Sequence, residues 1–171
     1  SGEKSKITKY KGIIQEYMDF VQNKIKIERE LKVITDTTNG TCGLLVPSLF
    51  KRLGCRVQTL NEKPDGTFPA HLPEPKEETL AELKGEVVKN EADFGVGYDG
   101  DGDRAVFVDD KGKIIPGDLV LLVLARDALQ RSSGGKSGTK DNVFHLQDLE
   151  EVVNIPDPDF LPALLLQTLH P

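Results

Sequence analysis

The sequence predicts an α/β fold: a three-layer α/β/α domain with a mostly parallel sheet of about four strands, followed by a short C-terminal tail. Three observations support this fold class. Short β-branched runs alternate with segments of helical periodicity, one strand–helix–strand unit occurs near the start, and a later strand leads straight into an acidic, glycine-containing loop. The strands of such a unit are expected to be parallel, with a right-handed crossover between them.

The elements of the N-terminal half follow from periodicity. Residues 3–29 are lysine-rich with apolar residues at helical spacing, so one or two amphipathic helices are expected. Residues 31–35 (LKVIT) form a β-branched run that predicts a buried strand. Residues 42–53 have a helical apolar pattern that stops at Gly54. Residues 56–60 are the next predicted strand, which completes a βαβ unit.

The C-terminal half repeats this alternation. An irregular segment with four prolines, the proline loop (residues 64–75), precedes a predicted helix at residues 77–90. Residues 94–98 form a third predicted strand and residues 104–108 a fourth, and both are rich in apolar side chains. A last helix is expected from residue 117 to about residue 129.

Bulk composition excludes several classes of protein. The chain has 171 residues and a net charge of -6, so it lacks the basic surplus needed to bind nucleic acid or an anionic membrane in bulk. No apolar stretch reaches transmembrane length. Cys42 and Cys55 have no metal-type spacing, which predicts two reduced, buried thiols in a cytoplasmic protein.

The most informative motif is the acidic loop (residues 99–104), with the sequence DGDGDR. Three carboxylates this close in sequence repel one another unless a cation lies between them. Oxygen ligands suit hard ions such as Mg²⁺, and glycines let alternate side chains converge on one point. Arg104 adds a planar fork that suits phosphate. These residues predict a metal and phosphate loop at the carboxyl end of a strand, where open α/β sheets bind ligands.

Other interpretations of the acidic loop remain open at this point. DGDG is also favourable turn chemistry, so the loop could be a solvated hairpin connection. An EF-hand fits worse, because Arg104 and Asp110 stand where that loop needs glycine and glutamate. A haloacid-dehalogenase-type DxD loop also fits worse, because Asp103 stands where threonine or valine is expected.

Three segments together resemble the second domain of the α-D-phosphohexomutase family, the phosphoglucomutases and phosphomannomutases. They are GYDGDGDRAVFVDDKGKIIPGD (97–118), TDTTNGTCG (35–43) and NEKPDGTFPAHLPEPKEETL (61–80), in the same order and spacing as in that family. The resemblance covers about residues 7–130, so residues 1–130 are expected to form the metal-binding domain.

The resemblance implies a reversible phosphoryl transfer between O6 and O1 of a hexose through a phosphoserine. Asp99, Asp101 and Asp103 would each give one oxygen to Mg²⁺, and Arg104 would lie beside the transferring phosphate as the catalytic residue of this segment. This division of labour agrees with phosphoryl-transfer chemistry, which depends on positioning and neutralisation of charge. Hexose phosphate would be a partner only of a full enzyme, with no nucleic acid or membrane involved.

The family's serine loop (TASHNP type), sugar loop (GEMSGH type) and phosphate clamp (RPSGTEP type) do not occur in this sequence. The chain is therefore expected to be inactive alone, as a truncated or engineered chimeric domain. Residues 131–142 have the composition of a linker, and residues 143–171 form a tail of unknown origin. We expect this tail to dock on the core or on a second chain, which would make a homodimer.

The remaining motifs are weaker. Gly135-Lys136-Ser137 lacks the first glycine and the preceding strand of a P-loop. The LxxLL match at residues 161–165 is a short pattern that is common by chance. The amides of Asn39-Gly40-Thr41 could hold an anion, although a structural turn is favoured. His71 could contact a neighbouring domain, although an ordinary loop histidine is favoured.

Overall fold

The computed structural model describes residues 9–133 (side chains to residue 126) and confirms the three-layer α/β/α fold. The elements are, in chain order, α1 (Ile13–Gln22), β1 (Lys32–Asp36), a short 3-10 helix (Thr41–Leu44), α2 (Val46–Arg52), β2 (Arg56–Leu60), α3 (Ala81–Lys89), β3 (Phe94–Tyr98), β4 (Ala105–Asp109), β5 (Ile114–Ile115) and α4 (Gly117–Ser133).

The sheet has five strands in the order β2-β1-β3-β4-β5. β1 pairs in parallel with both β2 and β3, whereas the β3–β4 and β4–β5 pairs are antiparallel. The prediction of a mostly parallel sheet therefore describes the β2-β1-β3 half only. The connection from β3 to β4 is the acidic loop itself, which is too short for a crossover and must form a hairpin.

One face of the sheet is covered by α3. Leu83 and Val87 are fully buried there against Ile34 of β1 and Val108 of β4. Gly95 and Gly97 of β3 allow this close packing, since a Cβ atom on either would lie within 2.6 Å of an α3-side leucine or valine. Full burial of each leucine or valine contributes about 1.5–3 kcal/mol, so this layer holds β3 firmly in place.

The opposite face packs against α2. Phe50 of α2 contacts a cluster that includes Val33 of β1 and Val96 of β3. The Phe50 and Phe94 rings lie edge to face with centroids 6.4 Å apart. The two layers together fix β1 and β3, the neighbouring parallel strands whose carboxyl ends carry the candidate site.

Two predicted helices have different boundaries in the structure. The predicted helix at 42–53 is split, because Pro47 lies in the first turn of α2 and favours a new helix start there. It does end as expected at Gly54, which has a φ of +89°. α3 begins at Ala81 rather than residue 77, because the Thr79 hydroxyl bonds the amide of Lys76 and the carbonyl of Glu74 in a turn.

The predicted linker begins within a helix. α4 extends to Ser133 and includes the first three residues of the predicted linker. The expected docking of residues 143–171 concerns residues outside those described. Among the described helices, none combines the length and the apolar character needed to cross a membrane.

Candidate metal centre

The acidic loop is the turn of the β3–β4 hairpin. Tyr98, the last residue of β3, pairs with Ala105, the first residue of β4. The loop is closed by the Asp99 amide, which donates to the Arg104 carbonyl at 3.3 Å. Gly102 has a φ of +82°, a conformation that glycine adopts without strain. The carboxylates are thus carried on a short, hydrogen-bonded turn at the rim of the sheet.

Asp99 is the buried anchor of the acidic loop, with only 1% of its surface exposed. Its Oδ1 accepts the amides of Gly102 at 2.9 Å and Arg104 at 3.3 Å, and its Oδ2 accepts Arg104 Nε at 2.9 Å. Burial alone would raise the pKa of Asp99. Hydrogen bonds from the side chains of Arg104 and Asp103 and from the two amides outweigh it and lower that pKa.

The three aspartates come together as the sequence predicts. One carboxylate oxygen of each of Asp99, Asp101 and Asp103 lies within 4.8 Å of the others. Asp101 and Asp103 are exposed, and the hydrogen bond to Asp99 and the charges of Asp101 and Asp99 raise the pKa of Asp103. This mutual repulsion is what a cation among the carboxylates would relieve.

The donor set fits a hard divalent ion. All the clustered ligand atoms are carboxylate oxygens, as Mg²⁺ prefers. An ionised carboxylate offers about four lone-pair sites, and three N–H groups bond the carboxylate of Asp99. The fourth site takes the hydrogen bond from the Asp103 side chain, and a metal bound there would replace that proton while the three N–H bonds hold Asp99 in place.

Arg104 is held beside the carboxylates but faces solvent. Its Nε bonds Asp99, its Nη1 lies 3.7 Å from Glu74 Oε1, and its side chain is 61% exposed. The hydrogen bond to Asp99 and then the charges of Asp99, Asp103 and Glu74 raise the pKa of Arg104 despite partial desolvation. The guanidinium is therefore a permanent cation with a fixed inner edge and an accessible outer part.

The TTNG turn (residues 37–40) and Thr41 support the acidic loop from β1. Thr41 donates its amide to the Gly100 carbonyl at 3.1 Å and its hydroxyl to the Asp101 carbonyl at 3.1 Å. The Thr38 hydroxyl donates to the Tyr98 carbonyl at 2.6 Å. The amides of Gly40 and Thr41 thus bond carbonyls within the protein, which agrees with a structural turn rather than an anion site.

The proline loop supports the acidic loop from the other side. The ring of Phe68 and the Cβ of Pro73 pack so closely on Gly100 that a Cβ added there would lie 3.0–3.1 Å from both. Glu74 of the same loop faces Arg104. Sequence reasoning did not identify these contacts, because the two loops are separated by a helix and a strand and only the topology brings them together.

Cys42 lies against the acidic loop, since a Cβ on Gly102 would lie 2.6 Å from its Sγ. Burial raises the pKa of this thiol, and the negative charges of Asp99 and Asp101 raise it further. Cys55 is buried, and neither cysteine forms a disulfide. The prediction of two free thiols agrees with this arrangement, although Cys42 is only partly buried.

Comparison with known proteins gives the family. Residues 15–112, more than half of the chain, match the family model described as phosphoglucomutase/phosphomannomutase, alpha/beta/alpha domain II. The chain belongs to the phosphoglucomutase/phosphomannomutase family. The match contains β1–β4, the acidic loop and the proline loop, so the resemblance found in the three sequence segments is confirmed.

Individual relatives agree with this assignment. The chain is 44% identical over 127 residues to a phosphoglucomutase/phosphomannomutase of Thermococcus kodakarensis, a match that covers 72% of this chain and 28% of the relative. It is 40% identical over 121 residues to a probable phosphoglucosamine mutase of Methanosarcina acetivorans, with 71% and 28% covered. A solved family protein from Burkholderia thailandensis has a TM-score of 0.68 at 36% identity, over 70% of this chain and 26% of that one. The chain thus spans less than a third of these relatives.

Proposed function

We propose that this chain is the Mg²⁺-binding domain of a phosphohexomutase that moves a phosphoryl group between O6 and O1 of a hexose through a phosphoserine. The observation that carries the proposal is the convergence of Asp99, Asp101 and Asp103 within 4.8 Å, next to Arg104. The same acidic loop lies inside the segment that matches the family. The serine, the sugar-binding loop and a phosphate clamp would come from other parts of a complete enzyme, and a cytoplasmic location belongs to this proposal.

Each residue of the site has a distinct task in this proposal. Asp99, Asp101 and Asp103 would hold the metal, and Asp99 fixes the geometry because it is buried and accepts three hydrogen bonds. When bound, Mg²⁺ would supply charge neutralisation to the phosphate oxygens. Arg104, oriented by its Nε bond to Asp99, would bind phosphate oxygens with its exposed outer edge.

Manganese titration tests the metal-binding part of the proposal. Mn²⁺ serves as the probe because it takes the same oxygen ligands and is observable by electron paramagnetic resonance. We expect weak binding to the parent chain and a loss of at least about tenfold in Asp101→Ala, since ligand charge sets the affinity of such sites. Asp110→Ala is the matched control, because Asp110 is an exposed aspartate in the next turn. Equal affinities in all three proteins would refute the assignment.

A second candidate is a non-catalytic, self-associating module. It is favoured by an exposed apolar surface on α1 and on the segment just before it. This surface is formed by side chains that are each about half or more exposed: Tyr10, Ile13, Tyr17 and Phe20. Incubation with glucose 1-phosphate or mannose 1-phosphate and a trace of bisphosphate separates turnover from inertness, and we expect no product. Light scattering tests association, and Phe20→Ser should shift a dimer toward monomer. A monomeric parent chain would remove this candidate.

A further inference from the structure

His71 connects the proline loop to the interior of the domain. Its Nε2 lies 2.9 Å from Oδ2 of Asp36, the last residue of β1, which is fully buried. Its Nδ1 lies 2.9 Å from the Leu72 carbonyl oxygen. The imidazole is itself mostly buried, with 15% of its side chain exposed. The histidine therefore bonds a buried carboxylate that is 35 residues away in sequence.

These contacts determine the protonation state of the ring. A carbonyl and a carboxylate oxygen both act as acceptors, so both ring nitrogens must donate, which only the imidazolium can do. Burial lowers the pKa of His71, but the bonds to Leu72 and Asp36 and the charges of Asp36 on β1 and Glu82 on α3 outweigh it and raise that pKa. The Asp36 carboxylate also accepts the Thr38 amide at 2.9 Å and the Asn61 side-chain amide at 3.0 Å.

The position of the proline loop matters for the acidic loop. Phe68 and Pro73, on either side of His71 in sequence, pack on Gly100 in the middle of the metal-ligand loop. Glu74, three residues after His71, faces Arg104. A shift of the proline loop would therefore remove the contacts that hold Gly100, and with it the spacing between Asp99 and Asp101.

We propose that His71 is a positioning residue for the metal centre: its cation fastens the proline loop to Asp36, and loss of its proton loosens the acidic loop and weakens metal binding. This inference rests on the proposed metal-binding function. The hydrogen bonds and the ion pair of His71 go to Leu72 and Asp36 and to none of the three aspartates of the site, so it would act through Phe68 and Pro73 on the backbone at Gly100.

The direction of the pH effect follows from the raised pKa. The imidazolium prevails below the folded pKa, which lies above the ordinary value of 6.5. The anchored loop is therefore fully present below about pH 6.5 and is lost as the pH rises through the folded pKa. Above that point two acceptors face one neutral ring, and one of the two hydrogen bonds must be lost.

The test combines NMR with metal titration. Imidazole ¹H–¹⁵N spectra of the parent chain report the His71 titration midpoint, assigned by its absence in His71→Gln. Mn²⁺ affinity is then measured from pH 6 to 9 in the parent, in His71→Gln and in His170→Gln, which removes a histidine outside the proline loop. We expect the affinity of the parent and of His170→Gln to fall about fivefold with the midpoint of His71. His71→Gln should bind more weakly at pH 6 and vary little with pH.

A second measurement separates failure of this inference from failure of the proposed function. Hydrogen-exchange protection of the amides of Gly102 and Thr41 reports how firmly the acidic loop is held in the absence of metal. The first amide bonds Asp99 and the second bonds the Gly100 carbonyl. If Mn²⁺ binds to none of the proteins, a fall in protection at the His71 midpoint still supports the inference. A His71 midpoint at or below 6.5, or the same pH dependence of affinity and protection in His71→Gln as in the parent, would overturn it.

Discussion

The contact between Gly40 and Gly100 gives the sharpest prediction, because a single added carbon is aimed at the backbone of the acidic loop. A Cβ on Gly40 would lie 2.6 Å from the Gly100 carbonyl oxygen and 3.0 Å from its carbonyl carbon and Cα. Gly40 itself has a φ of -93° and a ψ of -171°, which alanine adopts without strain. Any destabilisation by Gly40→Ala relative to an unstrained Gly→Ala change therefore comes from this collision.

The size of the effect follows from the distance. The TTNG turn and the acidic loop must separate by roughly 0.5–1 Å to restore ordinary van der Waals contact. The shift strains the bond from the Thr41 amide to the Gly100 carbonyl, now 3.1 Å long. Overpacking of this kind costs about 1–3 kcal/mol. Because Gly100 lies between Asp99 and Asp101, two of the proposed ligands, we also expect Mn²⁺ affinity to fall about tenfold.

Gly66→Ala is the matched control, since no atom lies within 4 Å of a Cβ built on Gly66 and its φ is not positive. Urea unfolding followed by circular dichroism should show a midpoint about 0.5–1.5 M lower for Gly40→Ala, for a slope near 2 kcal/mol per M. The midpoint of Gly66→Ala should equal or exceed that of the parent. If Gly40→Ala matches Gly66→Ala in both stability and Mn²⁺ affinity, the two loops do not touch as described.

Three further predictions address the core, His71 and Cys42. Leu83→Ala should lower the free energy of unfolding, measured in urea, by about 2–5 kcal/mol, because Leu83 is fully buried. Val88→Ala, on the exposed side of α3, should change it by less than about 0.5 kcal/mol, and equal losses in the two variants would contradict the assigned packing. The free energy of unfolding of the parent should decrease as the pH rises through the raised pKa of His71. The same dependence of this free energy on pH in His71→Gln as in the parent would argue against the buried ion pair. Asp101→Asn should lower the pKa of Cys42, which would appear as faster alkylation of this thiol near pH 8. The alkylation rate of Cys55 should not change, because burial and the charge of Asp93 raise its pKa. Faster alkylation of both thiols would indicate unfolding instead.

Local patterns in the sequence were enough to predict most of the fold. The β-branched run before Asp36 and the apolar spacing between Cys42 and Gly54 reflect burial of one side of each element, which is a local property. The mixed character of the sheet was not predicted, although the length of the connection at residues 99–104 determines it. The six residues between Tyr98 and Ala105 are too few for a crossover, and the prediction of a mostly parallel sheet did not take this length into account.

In the candidate site, the residues with the expected chemistry were predicted, and the residues that support them were not. Asp99, Asp101, Asp103 and Arg104 were predicted because their chemistry is concentrated in six consecutive residues. The supporting side chains His71 and Glu74 were not predicted. His71 was favoured as an ordinary loop histidine, and Glu74 was not considered. Their partners lie at least 30 residues away, and no local pattern encodes a pairing such as that of His71 with Asp36. Residues that position the site are thus harder to predict from the sequence than residues that carry its chemistry.

The central claim is that the acidic loop holds a divalent ion through three aspartates. Anomalous diffraction from a crystal of this chain soaked in Mn²⁺ tests it most directly. We predict a peak about 2.1 Å from one oxygen each of Asp99, Asp101 and Asp103. A map with no peak at this rim, or with the only peak elsewhere on the chain, would contradict the account.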